Sequence, residues 1–272
     1  MSSLNKKNLP ILGRGLFLAL GVTALVGCGS DGTTGNSDPI LPIADGDATV
    51  GAAGKVRREW WIPLPEGDQF TKILRETTAK TVPPTGKDEL TKLQADGFNA
   101  DTATADFGSD FGERIRGFIK PPTTGTYYFG VSGDNQVSFF LSQDQSAKSI
   151  NEQIEACKGL DPQMPCASAA NGKHLAGAET LNPEFTPTDS FAQASQFSKP
   201  VTLDASKYYF FDFYHREGAG NTHAKVVWVT PGKAAPSTAT TGADVEIVPG
   251  SALYYPDFPE APAGGAAGAG SM

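Results

Sequence analysis

The sequence predicts an all-β protein: an antiparallel sandwich or barrel interrupted by one long, disulfide-bearing insertion and accompanied by few short helices. Short β-branched or aromatic runs recur at 114–120 (RIRGFIK), 125–131 (GTYYFGV), 137–141 (VSFFL), 207–214 (KYYFFDFY) and 224–229 (AKVVWV). Pro, Gly, Asp and Asn stand between them, the residues that end strands and turn chains. Helical periodicity is weak, confined to 87–93 and 149–157. Short strands with frequent turns are the signature of antiparallel sandwiches and barrels.

Taken from the beginning, the chain opens with Lys6, Lys7 and Arg14, followed by an apolar run over 15–27 (GLFLALGVTALVG). A basic stretch leading into a short apolar one is the pattern of a secretory leader. The run is too short to cross about 30 Å of hydrocarbon, which takes roughly 20 helical residues. Leu25-Val26-Gly27-Cys28 resembles the bacterial lipobox, in which the cysteine thiolate is lipidated and the leader, 1–27, is removed. An ordinary leader whose cysteine joins a disulfide is the alternative. Gly29, not Asp, follows Cys28, which resembles the route to the outer membrane, with the domain on its periplasmic or cell-surface face.

Residues 28–55 are rich in Gly, Asp, Thr and Ala and carry too few large apolar side chains for a core. They read as a flexible tether, reaching about 30 Å at ~5–6 Å × √n. Residues 56–256 are long enough for one substantial domain. Within it, about 143–196 forms an insertion rich in Pro, Ala and Ser that holds Cys157 and Cys166. With Cys28 lipidated, these two are an even pair in an oxidising compartment, so a disulfide is expected; a metal site is the alternative, with His174 the one histidine nearby. Residues 257–272 form a low-complexity tail.

The formal charge of −8 becomes about −11 once Lys6, Lys7 and Arg14 leave with the leader. An acidic surface argues against nucleic acid and is compatible with cations and neutral ligands such as glycans.

The stretch 112–142 (GERIRGFIKPPTTGTYYFGVSGDNQVSFFLS) resembles the central block of the protective-antigen-type domain, a β-sandwich module found in toxins, flocculins and adhesins. The blocks that match are Arg116-Gly117, Pro121-Pro122, Thr124-Gly125, Tyr127 with Phe129, and Gly133-Asp134-Asn135. Residues 197–232 resemble the family's later strands, 246–256 its exit, and Glu59-Trp60-Trp61 its opening, so the likeness runs over 59–256. Apart from the resemblance, Pro121 and Pro122 cannot donate to a ladder and belong between strands. Tyr127 and Phe129 share one face by the period of two, as do Ala224, Val226 and Trp228.

In carbohydrate-binding members of that family, two adjacent Asp hold a Ca²⁺ that binds sugar hydroxyls. The resemblance therefore implies a site at Asp134 and Asn135, with Asn135 where a second Asp is usual, and Asn221 from a second loop at 217–223. Calcium takes six to eight oxygens, and an Asn carbonyl adds an oxygen but no charge. The other reading of Ser132-Gly133-Asp134-Asn135 is a plain hairpin turn, since Gly, Asp and Asn tolerate positive φ. Tyr128 and Trp60 are the aromatics expected to stack on sugar rings. His215 and His223 flank the second loop and read as surface positions. There is no G-x-S-x-G, phosphate-cradling loop or H-E-x-x-H, so an enzyme is not expected. The expected function is a membrane-anchored envelope lipoprotein acting in carbohydrate binding or adhesion, assisted by calcium. The alternative is a structural lipoprotein docking another envelope protein through the sandwich or its insertion.

Overall fold

The computed structural model describes residues 48–64, 71, 74–96, 109–161, 164–169, 172–180, 190–219 and 222–259. Cys28, Asn221, the leader, residues 28–47 of the expected tether and residues 260–272 of the expected tail lie outside them; the end of the expected tether is not a linker, because Thr49–Ala53 pairs with Leu253–Asp257 at a sheet edge. Thirteen strands are described: β1 Thr49–Ala53, β2 Val56–Trp61, β3 Gly86–Leu90, β4 Gln94–Asp96, β5 Ser109–Ile119, β6 Gly125–Asp134, β7 Gln136–Leu141, β8 Ala176–Glu179, β9 Val201–Leu203, β10 Tyr209–Ala219, β11 His223–Val229, β12 Glu246–Ile247 and β13 Leu253–Asp257. The larger sheet runs β1-β13-β5-β10-β7-β8, with β2 joined to β5 and β3 to β2; the smaller runs β12-β11-β6-β9, with β4 on β11. The strand pairs of both sheets are antiparallel. The five strands expected from sequence are β5, β6, β7, β10 and β11, the centres of the two sheets.

Alternation decides which way each strand faces. Ile115 and Ile119 of β5, Phe139 of β7, Phe211 and Phe213 of β10, Phe129 of β6, and Val226 and Trp228 of β11 meet between the sheets in one buried cluster. Phe129 stacks on Phe139 at 5.3 Å between ring centres, and Tyr127 lies 5.4 Å from Trp228. Each such side chain stabilises the fold by roughly 1.5–3 kcal/mol on leaving water.

The outward parity of the larger sheet is also buried, and it is charged. Arg114 chelates Asp212, which also accepts the Tyr214 hydroxyl at 2.9 Å, and Glu59 takes Arg57 and Arg116 at 2.7 and 2.6 Å. Charges sealed from water need such pairing, because an unpaired one costs several kcal/mol. Helix α1, Lys148–Cys157, packs on this face with Phe118, Phe140 and Phe210, and the Phe258 ring covers Arg57 and Arg116. In α1, Ile150, Gln153, Ile154 and Cys157 recur at the helical i, i+3, i+4, i+7 spacing and are buried.

Cys157 bonds to Cys166 with the Cα atoms 5.7 Å apart. Beyond this loop, β8 extends the edge of the larger sheet beside β7. Residues 196–198 then run along the edge of β6 in the smaller sheet: Gln196 Nε2 donates to Val131 O at 2.9 Å, Ser198 N to Phe129 O at 2.8 Å, and Phe197 bridges Gly130. A Cβ on Gly130 would sit 2.5 Å from Phe197 Cε1, so glycine is what lets that ring rest on the strand. The insertion thus wraps the sandwich, with α1 on one face, β8 along one sheet edge, 196–198 along an edge of the other, and the Phe191–Phe197 ring pair against Gly130.

The helix expected at 149–157 is α1. The one expected at 87–93 is not formed, because Gly86–Leu90 is an edge strand. Lys87, Asp88 and Glu89 stand opposite Glu59, Arg58 and Arg57 of β2, and this cross-strand charge match outweighs the local pattern.

Candidate functional site

The chain crosses from the smaller sheet to the larger at a single residue, Asn135, between the end of β6 and the start of β7. The Asp134–Asn135 peptide is cis. Gly133, Asp134 and Asn135 are absent from the positive-φ residues, so the left-handed turn allowed by sequence is not the one formed. Three residues near the end of β10 tie this crossing down. His215 Nε2 lies 2.7 Å from Asp134 O, Asn135 N donates to Arg216 O at 3.1 Å, and Gly218 N donates to Asn135 Oδ1 at 2.5 Å.

His215 is reached in turn from across the larger sheet. Its Nδ1 is 2.7 Å from Glu113 Oε1, and Glu113 Oε2 lies 3.7 Å from Arg58 Nη1. Arg58 also pairs with Asp88 through Nε at 2.7 Å. Trp60, Glu113 and His215 form one row, Trp60 opposite Glu113 and Glu113 opposite His215. Phe111 meets the imidazole edge-on at 5.6 Å. Burial alone would lower the His215 pKa, but the Glu113 carboxylate and the Asp134 carbonyl raise it above the usual histidine value.

Two carboxylates face this end. Burial raises the Asp134 pKa, against the opposing charge of His215. Glu217 lies on the inward parity of β10 and is wholly buried, and neither of its carboxylate oxygens has a hydrogen-bond partner. Burial pushes its pKa up to about 7, with the Asp134 charge adding to the rise and His215 opposing it. The Thr222 hydroxyl is near enough to weigh against that rise without reaching hydrogen-bond geometry. Two crowded carboxylates, one of them orphaned, are what a bound hard cation would relieve. No three His, Cys, Asp or Glu side chains among the described residues form a metal cluster by themselves. A calcium ion here would therefore need amide and main-chain oxygens as well.

The expected site residues are only partly brought together. Asp134 and Asn135 sit side by side, but Asn135 Oδ1 already accepts the Gly218 amide. Asn221 falls outside the described residues, though its flanks, the end of β10 and the start of β11, meet at this loop. Trp60 lies in the row that leads to His215, half-buried, with Arg58 5.6 Å from its ring centre and Gly86 against its edge. Tyr128 stands six residues back along β6, roughly 20 Å away at ~3.3 Å per residue, and takes no part in the site. Cys157 and Cys166 form the expected disulfide.

The two loop-flanking histidines are buried, not on the surface. His215 is used as above, and His223 Nε2 lies 3.1 Å from Ser132 Oγ on the outer side of the smaller sheet. Sequence reasoning passed over Glu113, His215 and Glu217 as functional residues. The usable signal is parity: His215 and Glu217 continue the inward-facing series of Phe211 and Phe213, where a polar residue needs a reason.

A profile for the family described as PA14 domain matches residues 71–241. Over 121 residues the chain is 34% identical to the mouse (Mus musculus) N-acetyl-beta-glucosaminyl-glycoprotein 4-beta-N-acetylgalactosaminyltransferase 1; the match takes in 44% of this chain and 10% of that protein. Among solved structures, the chain is similar to the PA14 domain of the MpAFP antifreeze protein (TM-score 0.46, 13% identity, 80% of this chain, 100% of that one). It is also similar to the Epithelial Adhesin 6 A domain from Candida glabrata in complex with Galb1-3GlcNAc (TM-score 0.45, 15% identity, 80% of this chain, 93% of that one).

Proposed function

The chain belongs to the PA14 domain family, and from that premise we infer that it is an anchored binding module, taking a glycan at the Asp134–Asn135 end of its sandwich with help from Ca²⁺. The observation that carries this reading is the buried Glu217 carboxylate, without a hydrogen bond and within reach of the Asp134 charge, at the end of the sandwich where the crossing is already tied into shape. Asp134, Glu217 and Asn135 would hold the ion, with Asn221 as a further donor. Glu217 supplies the negative charge that Asn135 lacks. Calcium bound there would balance those charges and offer free positions to sugar hydroxyls. Trp60 would be the aromatic on which a sugar ring rests.

Titration calorimetry with Ca²⁺ on chelator-treated protein, followed by a glycan array with and without the ion, tests this. Saturable ion binding and calcium-dependent glycan hits are expected. Absence of both would sink the reading. The anchor is part of the same proposal: a lipid on Cys28 would hold an acidic module to the outer membrane by a tether. Mass spectrometry of the membrane fraction should find acylated Cys28 at the mature N-terminus, and a soluble chain with an unmodified Cys28 would refute the anchor.

One observation favours a second reading, a lipoprotein that docks another envelope protein. Leu160 and Met164, the large apolar side chains exposed among the described residues, both stand on the loop closed by Cys157 and Cys166. Replacing both with Ser should abolish capture of an envelope partner while sparing calcium binding. Unchanged capture would count against it. Deleting the insertion is the poorer test, because α1 and 191–198 form part of the packed fold.

A further inference from the structure

The Asp134–Asn135 crossing has two backbone groups and one side chain to satisfy, and β10 satisfies all three. Two of the ties use the β10 main chain, Arg216 O and Gly218 N, and form only while the Asp134 carbonyl beside them is held in place. The third, from His215 Nε2 to Asp134 O, depends on residue identity. It is also the tie that joins the two sheets, since His215 belongs to the larger and Asp134 to the smaller. A carbonyl oxygen can only accept, so Nε2 must carry a proton. Nδ1 faces the Glu113 carboxylate, another acceptor, at 2.7 Å. The ring is thus held between two oxygens, one from β5 and one from the end of β6, which fixes its orientation. The ring is fully enclosed, edge-on to Phe111, and cannot turn away.

We propose that His215, oriented by Glu113, is a positioning residue of the Asp134–Asn135 crossing. It holds the Asp134 carbonyl inward, so that the Asp134 carboxylate and the Asn135 amide are set in place before any ligand arrives. The ordering of the crossing stands on this geometry alone, whereas its effect on binding rests on the calcium reading above. Arg58 acts at one remove, by fixing the far oxygen of Glu113.

Two substitutions in the full chain separate the role from mere support. His215→Gln keeps a donor where Nε2 stood, and His215→Asn keeps one only where Nδ1 stood. Each gives up the ring and one of its two contacts, so both should lower the melting temperature alike. Hydrogen exchange in chelator should find the Asn135 and Gly218 amides protected in wild type and His215→Gln, and unprotected in His215→Asn. Calcium affinity, measured with the metal alone, should fall about ten-fold in His215→Asn, the loss of a buried hydrogen bond, and be largely retained in His215→Gln. Equal exchange at these amides in the two variants would overturn the proposal. Should neither variant fold, nitrogen NMR of wild-type His215 decides: a proton on Nε2 supports the assignment, and a bare Nε2 overturns it. A wild type that binds no calcium would defeat the calcium reading and leave the exchange result to judge His215 alone.

Discussion

Glu217→Gln removes the orphaned charge at the loop end and keeps the shape of the side chain. The wild-type carboxyl ionises near 4.5 when unfolded and at about 7 in the fold, where burial and the Asp134 charge oppose it. A group whose pKa is raised by folding contributes its stability at low pH and loses it as pH climbs through that window. The wild type should therefore weaken relative to Glu217→Gln between about pH 4.5 and 7. At roughly 1.4 kcal/mol per pH unit the full rise corresponds to about 3 kcal/mol, and relaxation of the surrounding protein around the ionised group brings this to about 1–2 kcal/mol. For a domain of this size that is a melting difference of about 3–6 °C. Differential scanning calorimetry in chelator should show near-identical melting at pH 5 and the variant higher at pH 8. Adding calcium should reverse the order, since an ion at a hundred times its Kd stabilises the form that binds it by about 2.7 kcal/mol. Equal melting at pH 8 together with an equal calcium response would refute the placement of Glu217 beside Asp134.

Asn135→Asp should raise calcium affinity roughly ten-fold and lower the melting temperature in chelator, because it adds a third carboxylate to the same crossing; calorimetry reads both. His174 is held neutral, its pKa lowered to about 4 by burial although the Ala167 carbonyl favours its proton. Stability should consequently fall as pH drops from 6.5 to about 4, by up to about 3 kcal/mol, and His174→Gln should flatten that slope in urea titrations. Replacing Cys157 and Cys166 with Ser should cost about 2–3 kcal/mol by urea denaturation and leave calcium binding unchanged, because α1 lies on the outer face of the sheet, away from the crossing.

The centre of the fold was legible because its strands obey a period of two with large apolar residues on the inward parity; Tyr127, Phe129, Val226 and Trp228 fall where that rule puts them. The break between β6 and β7 at Asp134 and Asn135 is legible through a resemblance. What escaped were features set by partners distant in sequence. Lys87, Asp88 and Glu89 look helical until β2 supplies charges opposite them. His215 reads as a surface residue until Glu113, 102 positions earlier, stands 2.7 Å away. The insertion looks like a long loop because its apolar residues are sparse, yet Ile150, Ile154, Phe191 and Phe197 are enough to anchor it when α1 and 191–198 present them to the sheets. Trp60 was found for its aromaticity, while its neighbour Arg58, which links the row to Glu113, carried no local signal.

The pairing of β1 with β13 sets Thr49 opposite Asp257, with the Thr49 hydroxyl 3.4 Å from the Asp257 carbonyl. The two boundaries of the domain therefore lie side by side at one sheet edge. A module whose ends are neighbours can be spliced into a surface loop of a host protein, or strung in tandem, without stretching either junction. Circular permutation that joins residue 259 to residue 48 through a few glycines should keep the fold, with new ends opened on the tip between the two cysteines. The same arrangement makes the domain a portable head for display on other scaffolds, carrying its crossing, its lining carboxylates and its histidine clamp as one piece.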